Sequence, residues 1–282
     1  MQNVKLILLV VFGMVLAVNN VNGALSSLDK ALAGDNLTLY LTFDINQTGA
    51  RLINFTHDNG TYHNNLSTNG GASITADGQW DFVPNRKQVG EGSMYGLTST
   101  GTIIAPNIPA YRAMKNFTLC LGMNATSANG DESIIGNNKG NSGWWFISNK
   151  QTSADIRFNY RVDSSVDLVL DIDAAGYEDA GTWFHYCIAV NDSNDGGTSI
   201  FGYAYLNGTQ VGTATMPSPA TRTNEFVEDI QIGQINSHGF AVPTGYDEIA
   251  LWNFTLNSVQ INHTYQLFKN KTTLLNTFED TT

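Results

Sequence analysis

The chain has 282 residues, with 14 basic side chains against 25 acidic ones and a formal net charge of −11. That balance gives no positive footprint for a nucleic-acid or anionic-membrane partner. With 42% hydrophobic and 11% aromatic residues, the chain can build a sizeable core, and two cysteines are too few for a disulfide-dense miniprotein.

At the N-terminus, Lys5 precedes an unbroken apolar run, LILLVVFGMVLAV at 6–18, and Val21 and Gly23 stand before Ala24. This is the layout of a secretory signal peptide over residues 1–23, shorter than the roughly 20 apolar residues of a comfortable membrane span. No later run is apolar enough to cross a bilayer, and the C-terminal KTTLLNTFEDTT lacks a lipid-anchor tail. The mature chain, 24–282, is expected to be secreted and extracellular. Losing Lys5 and no acid moves the formal charge from −11 to −12.

Downstream, short apolar runs alternate with Gly, Asn, Asp and Ser clusters, the punctuation of an all-β sandwich or barrel. Strands are expected at LTLYLTFD (37–44), NFTLCLGM (116–123), GWWFIS (143–148), DIRFNY (155–160) and VDLVLDI (166–172). In GTWFHYCIAV (181–190), Trp183, His185, Cys187 and Ala189 share one face and Phe184, Tyr186, Ile188 and Val190 the other. Both faces are largely apolar, as in a central strand covered on each side. SIFGYAYLNGTQVGTATM places Asn207-Gly208 between two alternating segments, which predicts a type I′ hairpin. NSVQINHTYQLF (257–268) predicts a short helix, capped by Asn257 or Ser258, with Ile261, Tyr265 and Phe268 on its apolar stripe. No domain break is visible between 36 and 268.

Asn-x-Ser/Thr triplets begin at Asn36, Asn46, Asn54, Asn59, Asn65, Asn116, Asn124, Asn191, Asn207, Asn253, Asn262 and Asn270. Random placement would give about five, so N-glycosylation in a eukaryotic secretory pathway is expected, although Asn and Thr also favour β-protein turns. In that oxidising compartment, Cys120 and Cys187 on core strands are expected to form a disulfide, the alternative being two separate buried thiols.

The order of these pieces resembles the concanavalin A-like lectin/glucanase superfamily, in its laminin G-like and pentraxin-like form. LYLTFD with the following HDNGTYHNN resembles the opening strand and loop; FTLCLGM and HYCIAV resemble the two cysteine-bearing strands of pentraxins. YAYLNGTQVG resembles the strand–turn–strand unit, and IQIGQ with GYDEIALWNFTLNSVQI the closing strands and short helix. The resemblance implies one two-sheet antiparallel jelly roll, with Cys187 tied to Cys120. It also shows departures. The pentraxin calcium residues fall on Gly140-Asn141 and on Ile235, Asn236 and Ser237, which offer no carboxylate. No cofactor and no double calcium site are expected; Asp44, Asp58 and Asp247 leave room for a single weak calcium ion, or are turn and strand-end residues.

Catalytic patterns are missing from the sequence. None of the seven Glu residues has Asp two positions later, as a retaining glycosidase strand would, and there is no Gly-x-Ser-x-Gly or His-Glu-x-x-His motif. His185 reads as a core histidine. Trp144, Trp145, Tyr203 and Tyr205 fall in or beside stretches without acceptor triplets. The two tryptophans point to opposite faces of one strand, so one belongs to the core. A glycan-free ligand-binding face is expected around Trp144 or Trp145 with Tyr203 and Tyr205, the alternative being ordinary sheet packing. The leading reading is a non-catalytic, lectin-like or adhesion module for a glycan or extracellular protein. A structural coat or extracellular-matrix glycoprotein and a diverged glycoside hydrolase are the alternatives. N-terminal sequencing of protein secreted from eukaryotic cells is expected to begin at Ala24; a chain retained in the membrane and starting at Met1 would contradict the cleaved signal.

Overall fold

The computed structural model describes residues 37–41, 67–68, 80–82, 94–96, 102–105, 111, 114–125, 133–137, 143–149, 155–163, 166–173, 183–192, 199–217, 226, 228–233 and 244–269. Their strands are β1 (Leu37–Leu41), β2 (Ser67–Thr68), β3 (Trp80–Phe82), β4 (Met94–Gly96), β5 (Thr102–Ala105), β6 (Phe117–Ala125), β7 (Ser133–Gly136) and β8 (Trp144–Asn149). They continue with β9 (Asp155–Asp163), β10 (Val166–Asp173), β11 (Phe184–Asp192), β12 (Ser199–Leu206), β13 (Thr209–Pro217), β14 (Ile230–Gly233) and β15 (Thr244–Trp252). A helix, α1 (Ser258–Lys269), follows.

These strands form two antiparallel sheets. The first runs β13-β12-β11-β6-β15-β4-β3, with β1 also on β15; the second runs β10-β9-β8-β7-β14-β5-β2. Non-sequential neighbours such as β11-β6 and β6-β15 make this a jelly roll and not a meander.

Strict alternation selects the inner faces. Phe184, Tyr186, Ile188 and Val190 of β11 point between the sheets, where Ile156, Phe158 and Tyr160 of β9 and Leu168, Leu170 and Ile172 of β10 meet them. An aromatic group fills the middle: the Phe117 ring lies 5.7 Å from Trp145 and 5.8 Å from Tyr160, which lies 5.8 Å from Phe226. Gly202 is small for a packing reason, because a Cβ there would sit 2.8 Å from Leu168 in the opposite sheet.

The expected hairpin is present. Asn207 and Gly208 have φ of 49° and 76°, the paired positive values of a type I′ turn. His185 N–H donates to Asn207 Oδ1 (3.0 Å) and Asn207 N–H donates to the His185 carbonyl (2.8 Å), so the turn is also fastened to β11.

Cys120 and Cys187 are disulfide-bonded. They are register partners on the adjacent strands β6 and β11, so the bond staples neighbours within one sheet. Their Cα atoms lie 4.1 Å apart, close to the spacing of directly opposed residues that exchange no backbone hydrogen bonds. The loop closed is long, with a sequence separation of 67. Replacing both cysteines by alanine is expected to lower the unfolding free energy by about 2 to 4 kcal/mol, seen as a lower guanidinium midpoint. An unchanged midpoint would show that the ladder alone holds these strands.

Candidate functional site

The two outer faces of the sandwich are built differently. On the first sheet, α1 lies across the outer face. Asn257 caps it: its Oδ1 accepts from the N–H groups of Val259 and Gln260, each at 3.0 Å, and its own N–H donates to Gln260 Oε1 at 3.0 Å. This reciprocal capping box sets where the helix starts. Ile261, Thr264 and Phe268 are its buried stripe, while Tyr265, expected there, is half-buried. Leu37, Cys120, Cys187, Tyr205, Trp252 and Leu256 complete a second apolar cluster with Ile261 under the helix.

His185 belongs to this layer. Its ring lies 5.6 Å from Phe268 and 6.0 Å from Tyr265, and both its nitrogens lie 3.7 Å from Cys187 Sγ. Burial pushes its pKa down to about 3, so the imidazole is neutral. Beside it a cavity of about 20 Å³, room for roughly one water, is lined by Cys120, His185, Glu248, Trp252, Thr264 and Phe268 among others. A bulge in β15 between Asp247 and Ala250, with Glu248 at φ 47°, puts Glu248 on this lining. Cys120, His185 and Cys187 cluster closely enough to suggest a metal site, but both sulfurs are spent on the disulfide, so the cluster offers only one imidazole. This is a packed, structural layer.

The second sheet presents a different outer face, with no helix over it among the described residues. Three register rows cross β8, β9 and β10. The first row is Trp144, Arg161 and Asp167; the second is Phe146, Asn159 and Val169; the third is Ser148, Arg157 and Asp171. Arg157 holds Asp171 with two bonds, Nε–Oδ1 at 2.7 Å and Nη2–Oδ2 at 3.0 Å. Arg161 holds Asp167 in the same bidentate way, and those hydrogen bonds raise its pKa further. The Arg161 guanidinium also stacks 4.7 Å from the centre of the Trp144 ring. Between the two ion pairs sits Asn159, 7% exposed, whose Nδ2 has no hydrogen-bond partner among the described residues. An unsatisfied buried amide costs roughly 1 to 3 kcal/mol, and here it is surrounded by an aromatic pair, two guanidinium groups and two carboxylates. The charged pairs are partly exposed and can hydrogen-bond a polar group, whereas Trp144 and Phe146 are nearly covered.

The face expected around Trp144 or Trp145 together with Tyr203 and Tyr205 does not form. Trp145 is 0% exposed in the inter-sheet core, and Trp144, at 7%, lies on the outer face of the second sheet beside Phe146 at 5%. Tyr203 and Tyr205 lie on the outer face of the first sheet. Tyr205 is buried, and that burial, then the neighbouring Tyr203, raises its phenol pKa; Tyr203 is half-buried. Strand alternation separates the two tryptophans, and the sandwich puts its whole thickness between Trp144 and the tyrosines. Only Trp144 belongs to the face around Asn159.

Among the glycosylation triplets, Asn262 is exposed on α1, and Asn116, Asn191, Asn207 and Asn253 are half-buried. Asn116 Oδ1 accepts the Asp192 N–H at 2.8 Å, a backbone use like that of Asn207. Asn124 pairs through its backbone with Gly245. Asn36, Asn46, Asn54, Asn59, Asn65 and Asn270 lie outside the described residues, as do Asp44, Asp58, Asn141 and the side chain of Asp247.

The family model for the concanavalin A-like lectin/glucanases superfamily, in its laminin G-type form, matches residues 97–262. The chain belongs to this superfamily. No curated protein matches it in sequence. Among solved structures, the binding domain of Paraclostridial Mosquitocidal Protein 1 is 17% identical with a TM-score of 0.58, covering 82% of this chain and 52% of that one. A botulinum neurotoxin type C structure, titled for cell entry dependent on two ganglioside molecules, is 16% identical with a TM-score of 0.59, covering 84% and 52%. The binding domain of botulinum neurotoxin DC in complex with SialylT is 16% identical with a TM-score of 0.57, covering 83% and 51%. The chain therefore spans about half of these solved chains, and the likeness is one of fold.

Asn159, Arg157, Arg161 and Asp167 escaped the sequence reading, and Asp171 reads there only as a strand-end acid in solvent. Their signal was the polar half of two alternating strands; which arginine meets which aspartate depends on register, which no single strand encodes. For His185, the unfolded chain takes up a proton below about pH 6.5 that the folded chain refuses. Stability is therefore full above that pH and falls with acidification, by about 2 kcal/mol between pH 7.5 and pH 5 from this group alone. Denaturant unfolding of the wild type and His185→Gln at both pH values should show that loss in the wild type only. Equal slopes would mean that His185 is protonated in the fold.

Proposed function

We propose that the mature chain is a secreted, N-glycosylated, non-catalytic lectin-like or adhesion module that binds a glycan or an extracellular partner on the outer face of the second sheet. The observation that carries this reading is the buried Nδ2 of Asn159, without a hydrogen-bond partner among the described residues, between Phe146 and Val169 and flanked by the Arg161–Asp167 and Arg157–Asp171 pairs. The partly exposed Arg157–Asp171 and Arg161–Asp167 pairs supply held donors and acceptors to a ligand. The Asn159 amide, covered in the free chain, is a further donor for a ligand that opens this face. Superfamily membership supports the reading, as do solved structures of the same fold whose titles name binding domains and gangliosides, though that binding belongs to those proteins. The carboxylates of this face spend their oxygens on arginine, an arrangement suited to holding a ligand and not to delivering a proton to a glycosidic bond.

Trp144 and Phe146 are nearly covered, which favours a second reading, a structural coat or matrix glycoprotein with no sugar platform. A glycan array probed with enzymatically deglycosylated protein, in calcium and in chelator, separates the two. Binding by the wild type that weakens about tenfold or more in Asn159→Ala and Asp167→Asn is the expected result. A silent array would favour the structural reading, and binding untouched by both substitutions would place the ligand elsewhere.

A further inference from the structure

On the first sheet, the outer face continues from the edge of the helix-covered layer, on the side of the sandwich away from the ligand face. Phe201 and Tyr203 of β12 are half-buried, their rings stacked with centroids 6.4 Å apart and planes 17° from parallel. Tyr203 leans on the apolar cluster under α1, whereas Phe201 is not part of it. On one side their register partners in β13 are Thr215 and Thr213, both exposed. On the other side, directly opposite Phe201, stands Asn191 of β11.

Asn191 opens an acceptor triplet, Asn191-Asp192-Ser193. Opposed residues on one face of an antiparallel pair have Cβ atoms about 4.5 to 5.5 Å apart. The first sugar of an N-glycan on Asn191 would therefore start beside the Phe201 ring, already within stacking distance. Its surroundings differ from those of Asn207, which occupies a turn fastened to His185, and of Asn116, which accepts the Asp192 amide. We propose that the N-glycan of Asn191 folds back over Phe201 and Tyr203, so that this strip is the docking platform of the protein's own glycan. A β-linked N-acetylglucosamine has one face of C–H groups that packs on an aromatic ring, while its hydroxyls reach Thr213 and Thr215. The attachment makes the contact intramolecular, so even a weak stacking energy is enough to populate it. The proposal rests on the glycoprotein reading above.

The test uses full-length protein secreted from cells that attach N-glycans, with glycopeptide mass spectrometry reporting occupancy at each acceptor. In the glycosylated wild type, ring-current upfield shifts are expected on protons of the Asn191-linked N-acetylglucosamine, together with cross-relaxation to Phe201. Unfolding is then compared for the wild type, Asn191→Gln, Phe201→Thr and the double variant. Loss of the glycan is expected to lower the folding equilibrium constant about threefold to tenfold when Phe201 is present, and to change it little in Phe201→Thr. If Asn191→Gln is not secreted, endoglycosidase trimming to the first sugar, which should retain most of the coupling, replaces it. Additive losses and unshifted sugar protons at an occupied Asn191 would overturn the proposal. So would an empty Asn191 in protein whose Asn262 is glycosylated, whereas glycans at no acceptor at all would overturn the glycoprotein reading itself.

Discussion

Strand β11 has apolar side chains on both faces, so neither face can meet water, and the rest of the molecule is arranged around that requirement. Its inner residues, Phe184 to Val190, need a second sheet, which β8, β9 and β10 supply through Trp145, Phe158 and Leu168. Its outer residues, Cys187 and Ala189, with the buried His185, need a lid, and α1 supplies it through Ile261 and Phe268. The disulfide, the Asn207 turn and the neutral histidine all attach to the same strand. Each adds a constraint where burial is already greatest, and fully burying one large side chain contributes roughly 1.5 to 3 kcal/mol.

A helix on one outer face leaves the two sheets with different work. Under α1 the polar groups are few and enclosed, and the remaining cavity is water-sized. On the second sheet the outward positions of β9 and β10 carry charge, and pairing across the ladder turns four charged side chains into two neutral units. Such units tolerate partial burial better than single charges and fix the side chains in place. A preorganised polar row beside an aromatic pair suits recognition of a polar ligand, which gains most when the groups it meets need no rearrangement.

Several asparagines that read as glycan acceptors also serve the backbone. Asn207 takes a positive φ that few residues tolerate and accepts the His185 amide; Asn116 accepts the Asp192 amide. The side chains of their triplets' hydroxyl residues can be structural too, since Thr118 donates to the Phe254 carbonyl at 3.0 Å and accepts from Leu256 at 2.8 Å. An excess of Asn-x-Thr in a β-protein therefore carries two overlapping signals, glycan acceptance and turn or strand-end chemistry, and both apply to the same residue.

Local signals determined much of this protein by themselves. Alternation in β9, β10 and β11 identified strands and sorted the side chains of β11 into two faces, because a period of two is a property of the strand alone; which face turns inward came from the second sheet. Asn207-Gly208 determined a hairpin because only a few residues adopt its dihedrals. Asn257 or Ser258 marked the helix start, which the structure places at Asn257 through contacts with Val259 and Gln260. The short strands β2 to β5, two to four residues each, left no periodic trace to read. What needed the tertiary structure was everything set by the distance between strands far apart in sequence. Trp144 and Tyr203 look alike as aromatics of alternating strands, yet the sheet order sends them to opposite sides of the sandwich. Arg161 meets Asp167, Asn159 is enclosed between Phe146 and Val169, and Asn191 stands across from Phe201 only because the ladders settle in one register. That register is decided by the packing of both inner faces together, a sum over the whole core that no single segment contains.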